Sequence, residues 1–177
     1  FSRNFLGVHT PQDVLVGGIV GVLWMILTGK LLIWLKTHPE KDTLVAAIGI
    51  FIDIVLTVYA FSKSYPVDYD ATGKILVDGA KMAIDTFKGI GYSSAFLLGW
   101  ILERRFIKFS TEITLEQRIV RLVSGMMGYY AISLIICPIV KNNLSSSFGA
   151  FISCFIQMFY VVFIFPAMIK KIDNNAK

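Results

Sequence analysis

The sequence opens with four residues whose types and spacing could act together on an anionic group. Ser2 and Arg3 are adjacent, His9 follows after five residues, and Asp13 follows after three more. His9 and Asp13 are four positions apart, a spacing that brings side chains together on a helical turn. A carboxylate can orient an imidazole for proton transfer or attack, and a guanidinium binds phosphate oxygens with its planar fork. These residue types at this spacing could together bind an anionic group and act on it.

Each of these residues also has a simpler interpretation. Asp13 could only bond to the cap of a helix, His9 could be an interfacial histidine, and Arg3 could contact lipid headgroups. The simpler interpretation is the better one for any single residue. The joint occurrence of all four at this spacing favours a functional site.

The composition places these residues in a membrane protein. Of the 177 residues, 55% are hydrophobic and only 16% are charged, whereas soluble domains carry about 25% charged residues. We therefore expect an all-α, polytopic transmembrane bundle. The net charge of +5 does not indicate a nucleic-acid partner, because the basic residues lie between apolar runs and no aromatic–basic pattern for base stacking occurs.

Five apolar runs are long enough, or nearly so, to cross about 30 Å of hydrocarbon as helices. They cover residues 14–35, 43–61, 83–102, 119–140 and 148–169. Thr10 as N-cap and Pro11 at the first helical position predict the start of the first helix. Residues 62–81 contain Pro66 and Gly73 and predict a loop. Residues 103–118 are charged and partly amphipathic, which is typical of an interfacial segment.

Basic residues are distributed unequally between the two sides of the predicted bundle. Because consecutive spans alternate direction, one set of loops holds Lys36, Lys41, Arg104, Arg105, Lys108, Arg118, Lys170, Lys171 and Lys177. The other set is poorer, with Arg3, Lys63, Lys74 and Lys141, and with Lys81 and Lys88 at a helix edge. The positive-inside rule makes the richer set cytoplasmic. We therefore expect a multi-pass protein of the cell membrane with residues 2–13 on the extracytoplasmic face.

The pattern Ser2-Arg3-x5-His9-x3-Asp13 resembles the third signature motif of the type 2 phosphatidic acid phosphatase family, the lipid phosphate phosphatases. The resemblance implies that His9 attacks phosphorus and becomes a phosphohistidine, with Asp13 accepting a hydrogen bond from its other ring nitrogen. It also implies that Arg3 and Ser2 bind the phosphate, and that neither a cofactor nor a metal ion is needed. We therefore expect an integral membrane phosphatase acting on a phosphate monoester or diphosphate of a membrane lipid. Phosphatidate, phosphatidylglycerol phosphate and polyprenyl diphosphate all remain open as substrates.

Two other family motifs, Lys-x6-Arg-Pro and Pro-Ser-Gly-His, do not occur in this sequence. The second supplies the histidine that protonates the leaving oxygen, and His38 cannot replace it because it lies on the predicted cytoplasmic side. We expect both motifs upstream in a longer protein, and we expect this chain alone to be inactive. The alternative is a non-enzymatic transporter or scaffold module with a decayed motif.

The resemblance predicts that the chain consists of two parts. Typical family members have two spans after the third motif, so residues 1–61 correspond to the C-terminal part of the phosphatase core. Residues 62–177 form an additional membrane region with about three spans. Its run at residues 99–110 is similar to C-terminal regions of some bacterial members, and it indicates neither a role nor an oligomeric state.

Several polar residues in or near the spans have open interpretations. Asp53, in the middle of a span, is either functional or held by a buried hydrogen bond, and a pair with Lys30 is a further possibility. Lys81, Asp85 and Lys88 form either a solvated face or a basic rim for phosphorylated headgroups. Two cysteines lie within apolar runs and are expected to be buried rather than bridged, namely Cys137 and Cys154.

Overall fold

The computed structural model describes residues 11–69, 71–110 and 112–175. Most of these residues are helical. The chain divides into two compact units, Phe1–Asp42 and Thr43–Lys177.

Helix α1, Pro11–Thr37, is the main element of the first unit. It begins at Pro11 as predicted, because proline has the helical φ angle and lacks an N–H that would need a partner there. The predicted cap, Thr10, lies outside the described residues. At about 1.5 Å per residue, its 27 residues extend about 40 Å, enough to cross a bilayer. Its side chains are apolar around the whole circumference and largely exposed, which is typical of a helix surrounded by hydrocarbon.

Helix α2, Asp42–Ser62, follows a short 3-10 turn at Pro39–Lys41 and belongs to the second unit from Thr43 onward. The segment after α2 was predicted as a loop, and it contains a small antiparallel hairpin. Its strands are β1, Asp68–Tyr69, and β2, Ile75–Val77. Gly73, between them, has a φ angle of +79°, a left-handed conformation that glycine adopts without steric cost.

Helix α3, Gly79–Leu102, lies at the centre of the second unit. The Asp78 side chain caps it by accepting a hydrogen bond from the Lys81 N–H at 3.0 Å. Its buried face includes Phe87, Ile90 and Gly91 and packs mainly on helix α6, Ser146–Phe159.

The remaining helices are interrupted by π turns. Helix α3 continues into a π turn at Glu103–Ile107. Helix α4, Leu115–Ala131, is separated from α5, Cys137–Asn143, by a π turn at Ile132–Ile136. Helix α6 is separated from α7, Phe165–Asn175, by a π turn at Tyr160–Ile164.

Proline accounts for two of these π turns. Pro138 and Pro166 each lie two residues after the end of a π turn, at Ile136 and Ile164 respectively. A proline ring clashes with the carbonyl four residues earlier and cannot donate to it. Those carbonyls, of Leu134 and Val162, both lie inside π turns, where the wider turn separates them from the ring.

Four helical segments are long and apolar enough to cross a membrane by length and composition, which makes this a multi-pass membrane protein. Among the described residues they are Pro11–Thr37, Pro39–Ser62, Leu115–Asn143 and Ser146–Asp173. The all-α transmembrane bundle is thus confirmed. The third predicted run forms a helix, α3, but α3 is not among the four segments that are long and apolar enough to cross a membrane. Its first turns carry Lys81, Asp85 and Lys88, and much of its apolar face is buried against α6.

Gly91 allows α3 and α6 to come into backbone contact. A Cβ atom at this position would lie 2.5 Å from the carbonyl oxygen of Phe151 and 3.2 Å from its Cα. Such an overlap with backbone cannot be relieved by rotating a side chain. Small residues at helix contacts are the common way for membrane helices to pack closely.

We expect Gly91→Leu to destabilise the second unit by roughly 1–3 kcal/mol or more, the usual cost of overpacking. Thermal unfolding of the purified protein in detergent measures this change. The matched control is Gly89→Leu, because Gly89 is two residues away in the same helix and has open space at its Cβ position. Equal melting temperatures for the two variants would contradict the close contact.

Candidate functional site

The sequence-predicted site lies at the start of α1, and the structure describes one of its four residues. Ser2, Arg3 and His9 lie outside the described residues. Asp13 is exposed in the first turn of α1. The roles of all four residues, and the distances between them, therefore stay predictions.

The start of α1 has electrostatic properties that suit an anion. The first turn of a helix leaves N–H groups without intrahelical partners, and the helix dipole places partial positive charge at the same end. This combination binds phosphate at many helix N-termini. In the described part of the chain, no group of three or more His, Cys, Asp or Glu side chains could hold a metal ion.

His38 lies at the opposite end of α1 from Asp13. Its ring stacks on Trp34 with centroids 4.7 Å apart, and its Nδ1 is 2.9 Å from the Thr37 hydroxyl. The 25 residues that separate His38 from Asp13 span about 37 Å of helix. His38 therefore cannot act on a group that Asp13 contacts within this chain.

Asp53 has the buried hydrogen bond that was one of its two alternatives. It lies in the middle of α2, is 6% exposed, and accepts a hydrogen bond from the Ser94 hydroxyl of α3 at 2.8 Å. The bond joins two helices inside the second unit, so it stabilises their packing. Ser94 could not be predicted as the partner, because a serine in an apolar run has many possible neighbours.

A second polar chain crosses the interior of the second unit. The Tyr92 hydroxyl of α3 donates to Gln157 Oε1 of α6 at 3.0 Å, and Gln157 Nε2 donates to the Ser133 hydroxyl at 3.1 Å. Gln157 is 8% exposed, so water is not readily available to replace these partners. This chain was not predicted, because glutamine and tyrosine near the middle of an apolar run do not reveal their partners.

The two cysteines are free and buried, which confirms the prediction for them. Cys137 and Ser153 pack against each other's backbone: Cys137 Sγ is 3.7 Å from the Ser153 carbonyl, and Ser153 Oγ is 3.5 Å from the Cys137 carbonyl. These contacts fix α5 against α6 and indicate a structural role.

The charged stripe at the start of α3 is a solvated face. Lys88 Nζ and Asp85 Oδ1 form an ion pair at 2.8 Å, with side chains 40% and 54% exposed. Exposed ion pairs contribute little to stability. The alternative role as a rim for phosphorylated headgroups stays a prediction.

Basic residues of the richer loop set meet at one end of the second unit. Arg105 donates to the Thr43 hydroxyl, which joins the end of α3 to the start of α2. Lys170 Nζ donates to the Ile107 carbonyl. At the same end Arg121, which is not in that set, pairs with Asp173 at 2.6 Å. These contacts agree with alternating helix directions. The assignment of this end to the cytoplasm stays a prediction.

We expect Tyr92 and Gln157 to be energetically coupled. In a double-mutant cycle of Tyr92→Phe and Gln157→Leu, measured by unfolding in detergent, the coupling should be about 0.5–1.5 kcal/mol, as for interhelical hydrogen bonds in membrane proteins. Tyr130→Phe is the matched control, because Tyr130 is an exposed tyrosine of α4. A coupling within error of that for the Tyr130→Phe and Gln157→Leu pair would contradict the hydrogen bond.

The comparison with known proteins identifies the family from the C-terminal half of the chain. The family model described as PAP2 superfamily phosphatase, transmembrane extension, matches residues 87–177, from the middle of α3 onward. No curated protein matches the chain. No solved structure matches it either. The matched residues are more than half of the chain and do not include residues 2–13, from which the resemblance to this phosphatase family was drawn. The chain belongs to the PAP2 superfamily phosphatases with a transmembrane extension.

Proposed function

We propose that this protein is an integral membrane phosphatase that hydrolyses a phosphate monoester or diphosphate of a membrane lipid. The observation that carries the proposal is the agreement of two separate parts of the chain. The family model covers residues 87–177, and the Ser-Arg-x5-His-x3-Asp pattern occupies residues 2–13. Because the two do not overlap, they support the same family independently.

In the proposed reaction, a ring nitrogen of His9 attacks phosphorus and a nitrogen–phosphorus bond forms. The bond between phosphorus and the lipid oxygen breaks, and the leaving oxygen takes a proton from an acid. Asp13 accepts a hydrogen bond from the other ring nitrogen, which orients the imidazole and stabilises its positive charge. Arg3 and Ser2 bind the phosphate oxygens, and the start of α1 adds its N–H groups.

Water then attacks phosphorus in the second half of the proposed reaction. The nitrogen–phosphorus bond breaks, the water gives a proton to the group that acted as acid in the first half, inorganic phosphate leaves, and His9 returns to its starting state. The acid for the first half would come from the Pro-Ser-Gly-His motif of the family, which residues 1–177 do not contain. We therefore expect this chain to need that motif for turnover.

The proposed roles of the two parts of the chain follow the family pattern. Residues 1–61 would form the C-terminal part of the phosphatase core, and residues 62–177 the additional membrane region. The proposed site lies at one end of α1, whose apolar surface could contact the acyl or prenyl chain of a substrate. An extracytoplasmic position follows from the distribution of basic residues.

We expect His9→Ala in the full-length protein to lower phosphate release from a lipid phosphate by at least about a thousandfold, because the covalent intermediate cannot form. His38→Ala is the matched control and should keep nearly full turnover. A radioactive phosphoryl group should be trapped on the wild-type protein and on His38→Ala, but not on His9→Ala. Unchanged turnover in His9→Ala would exclude the mechanism and favour a non-enzymatic membrane module.

We expect Asp13→Asn to lower kcat by roughly 10²–10⁴-fold with a much smaller change in KM, as loss of the orienting carboxylate does in other histidine-based sites. Steady-state kinetics on full-length protein in mixed micelles measure both constants. The control is Asp53→Asn, which keeps an acceptor for Ser94 in the second unit. An equal loss of kcat in both variants would contradict the assigned role of Asp13.

A further inference from the structure

A groove in the second unit begins at the basic end and runs along α4. Two adjoining hollows form it, of about 530 Å³ and 400 Å³, and both are lined by Arg121, Leu122 and Phe165. The first hollow also reaches Arg118, and the second reaches Tyr160 at the start of a π turn. The groove is therefore cationic at one end and apolar along its length.

We propose that this groove binds an anionic phospholipid, with its phosphate at Arg118 and Arg121 and an acyl chain along the apolar walls. No residue of the proposed phosphatase site takes part, since Ser2, Arg3, His9 and Asp13 belong to the first unit. The inference does not depend on the proposed function.

Arg121 is held in place to present its guanidinium at the mouth of the groove. Its side chain is 12% exposed, pairs with Asp173 at 2.6 Å and donates to the Ser110 carbonyl at 3.0 Å. The guanidinium also lies over the Phe109 ring, 4.8 Å from its centroid. These two bonds use two of its five N–H donors, so others remain for a phosphate.

Arg118 supplies the net positive charge that favours an anionic headgroup. It lines the same hollow as Arg121, and its guanidinium has no hydrogen bond or ion pair with the described residues. Asp173 offsets the charge of Arg121, whereas that of Arg118 is not offset by a partner. A phosphate between two arginines forms charge-assisted hydrogen bonds, and basic pockets between membrane helices bind anionic lipid headgroups.

Tyr160 lines the apolar part of the groove. It is 7% exposed, and its hydroxyl has no hydrogen bond with any described residue. The hydroxyl lies against Gly128, where the Cβ of any other residue would overlap it. Gly128 follows Arg118 by ten residues in α4, about 15 Å along the helix axis. The hydroxyl is therefore too far from the arginines to contact the ester groups of a lipid whose phosphate they bind.

The arrangement fits an amphiphile better than a second protein chain. A helix docked in the groove would cover the apolar walls but would leave the charge of Arg118 without a partner. A phospholipid places an anion at one end and a hydrocarbon chain beyond it. This order matches the order of the two arginines and the apolar wall along the groove.

Lipid binding can be tested by native mass spectrometry of the full-length protein. The delipidated protein in a nonionic detergent receives equal amounts of phosphatidylglycerol and phosphatidylcholine with identical acyl chains. We expect one bound phosphatidylglycerol per chain, preferred over phosphatidylcholine by about tenfold, the effect of one charge-assisted contact. Equal retention of the two lipids by the wild-type protein would overturn the proposal.

Arg118→Gln should lower the preference for phosphatidylglycerol by about tenfold, because it removes the uncompensated charge. The control is Lys171→Gln, which removes the same charge from an exposed residue outside the groove. An equal effect of both variants would indicate general surface attraction and would overturn the specific site.

Tyr160→Phe is a second control, because it preserves the ring and removes a hydroxyl that lies about 15 Å along α4 from Arg118. Retention of both lipids and the preference between them should stay unchanged. A loss of preference in Tyr160→Phe equal to that in Arg118→Gln would contradict headgroup binding at the arginines. If the variants instead change the fraction of dimer while lipid retention stays constant, the groove binds a second copy of the chain and the proposal is wrong.

Discussion

The close contact of α3 and α6 at Gly91 is the constraint on which the second unit depends. The α3 helix can approach the Phe151 carbonyl this closely only because Gly91 has no side chain. Tyr92 is the next residue along α3, and its partner Gln157 lies six residues after Phe151, about 1.7 turns further along α6. The polar chain thus depends on the same approach. A wider spacing would leave a buried amide and two hydroxyls without partners, which is costly in a membrane.

The sequence predicted the elements of this fold more completely than their contacts. Pro11 and the apolar runs gave the helix positions to within a few residues, because start signals and hydrophobicity act locally. The polar contacts of Asp53 and Gln157 could not be predicted, because they depend on how two distant helices are aligned. The hairpin around Gly73 was missed for a similar reason: a polar segment rich in turn residues can be a loop or a hairpin.

The candidate site, like the fold, could be predicted from the sequence only in part. Local spacing predicted the four residues at the start of the chain, and the described residues include only Asp13 among them. The groove beside α4 was not predicted at all. Arg118 and Arg121 were visible as basic residues near a span, but Phe165 and Tyr160 are about forty residues away, and periodicity carries no information about which helices become neighbours.

The π turn at Ile132–Ile136 makes the chain sensitive to changes in length at this point. A π turn is equivalent to an α-helix with one inserted residue. Deleting one residue there would restore regular winding and leave the following helix close to its present orientation, because the wide turn takes up the extra residue. Regular winding would, however, bring the Pro138 ring against the carbonyl four residues earlier, from which the π turn now separates it. The number of residues between Ser133 and Pro138 is thus as much a structural requirement as their identity.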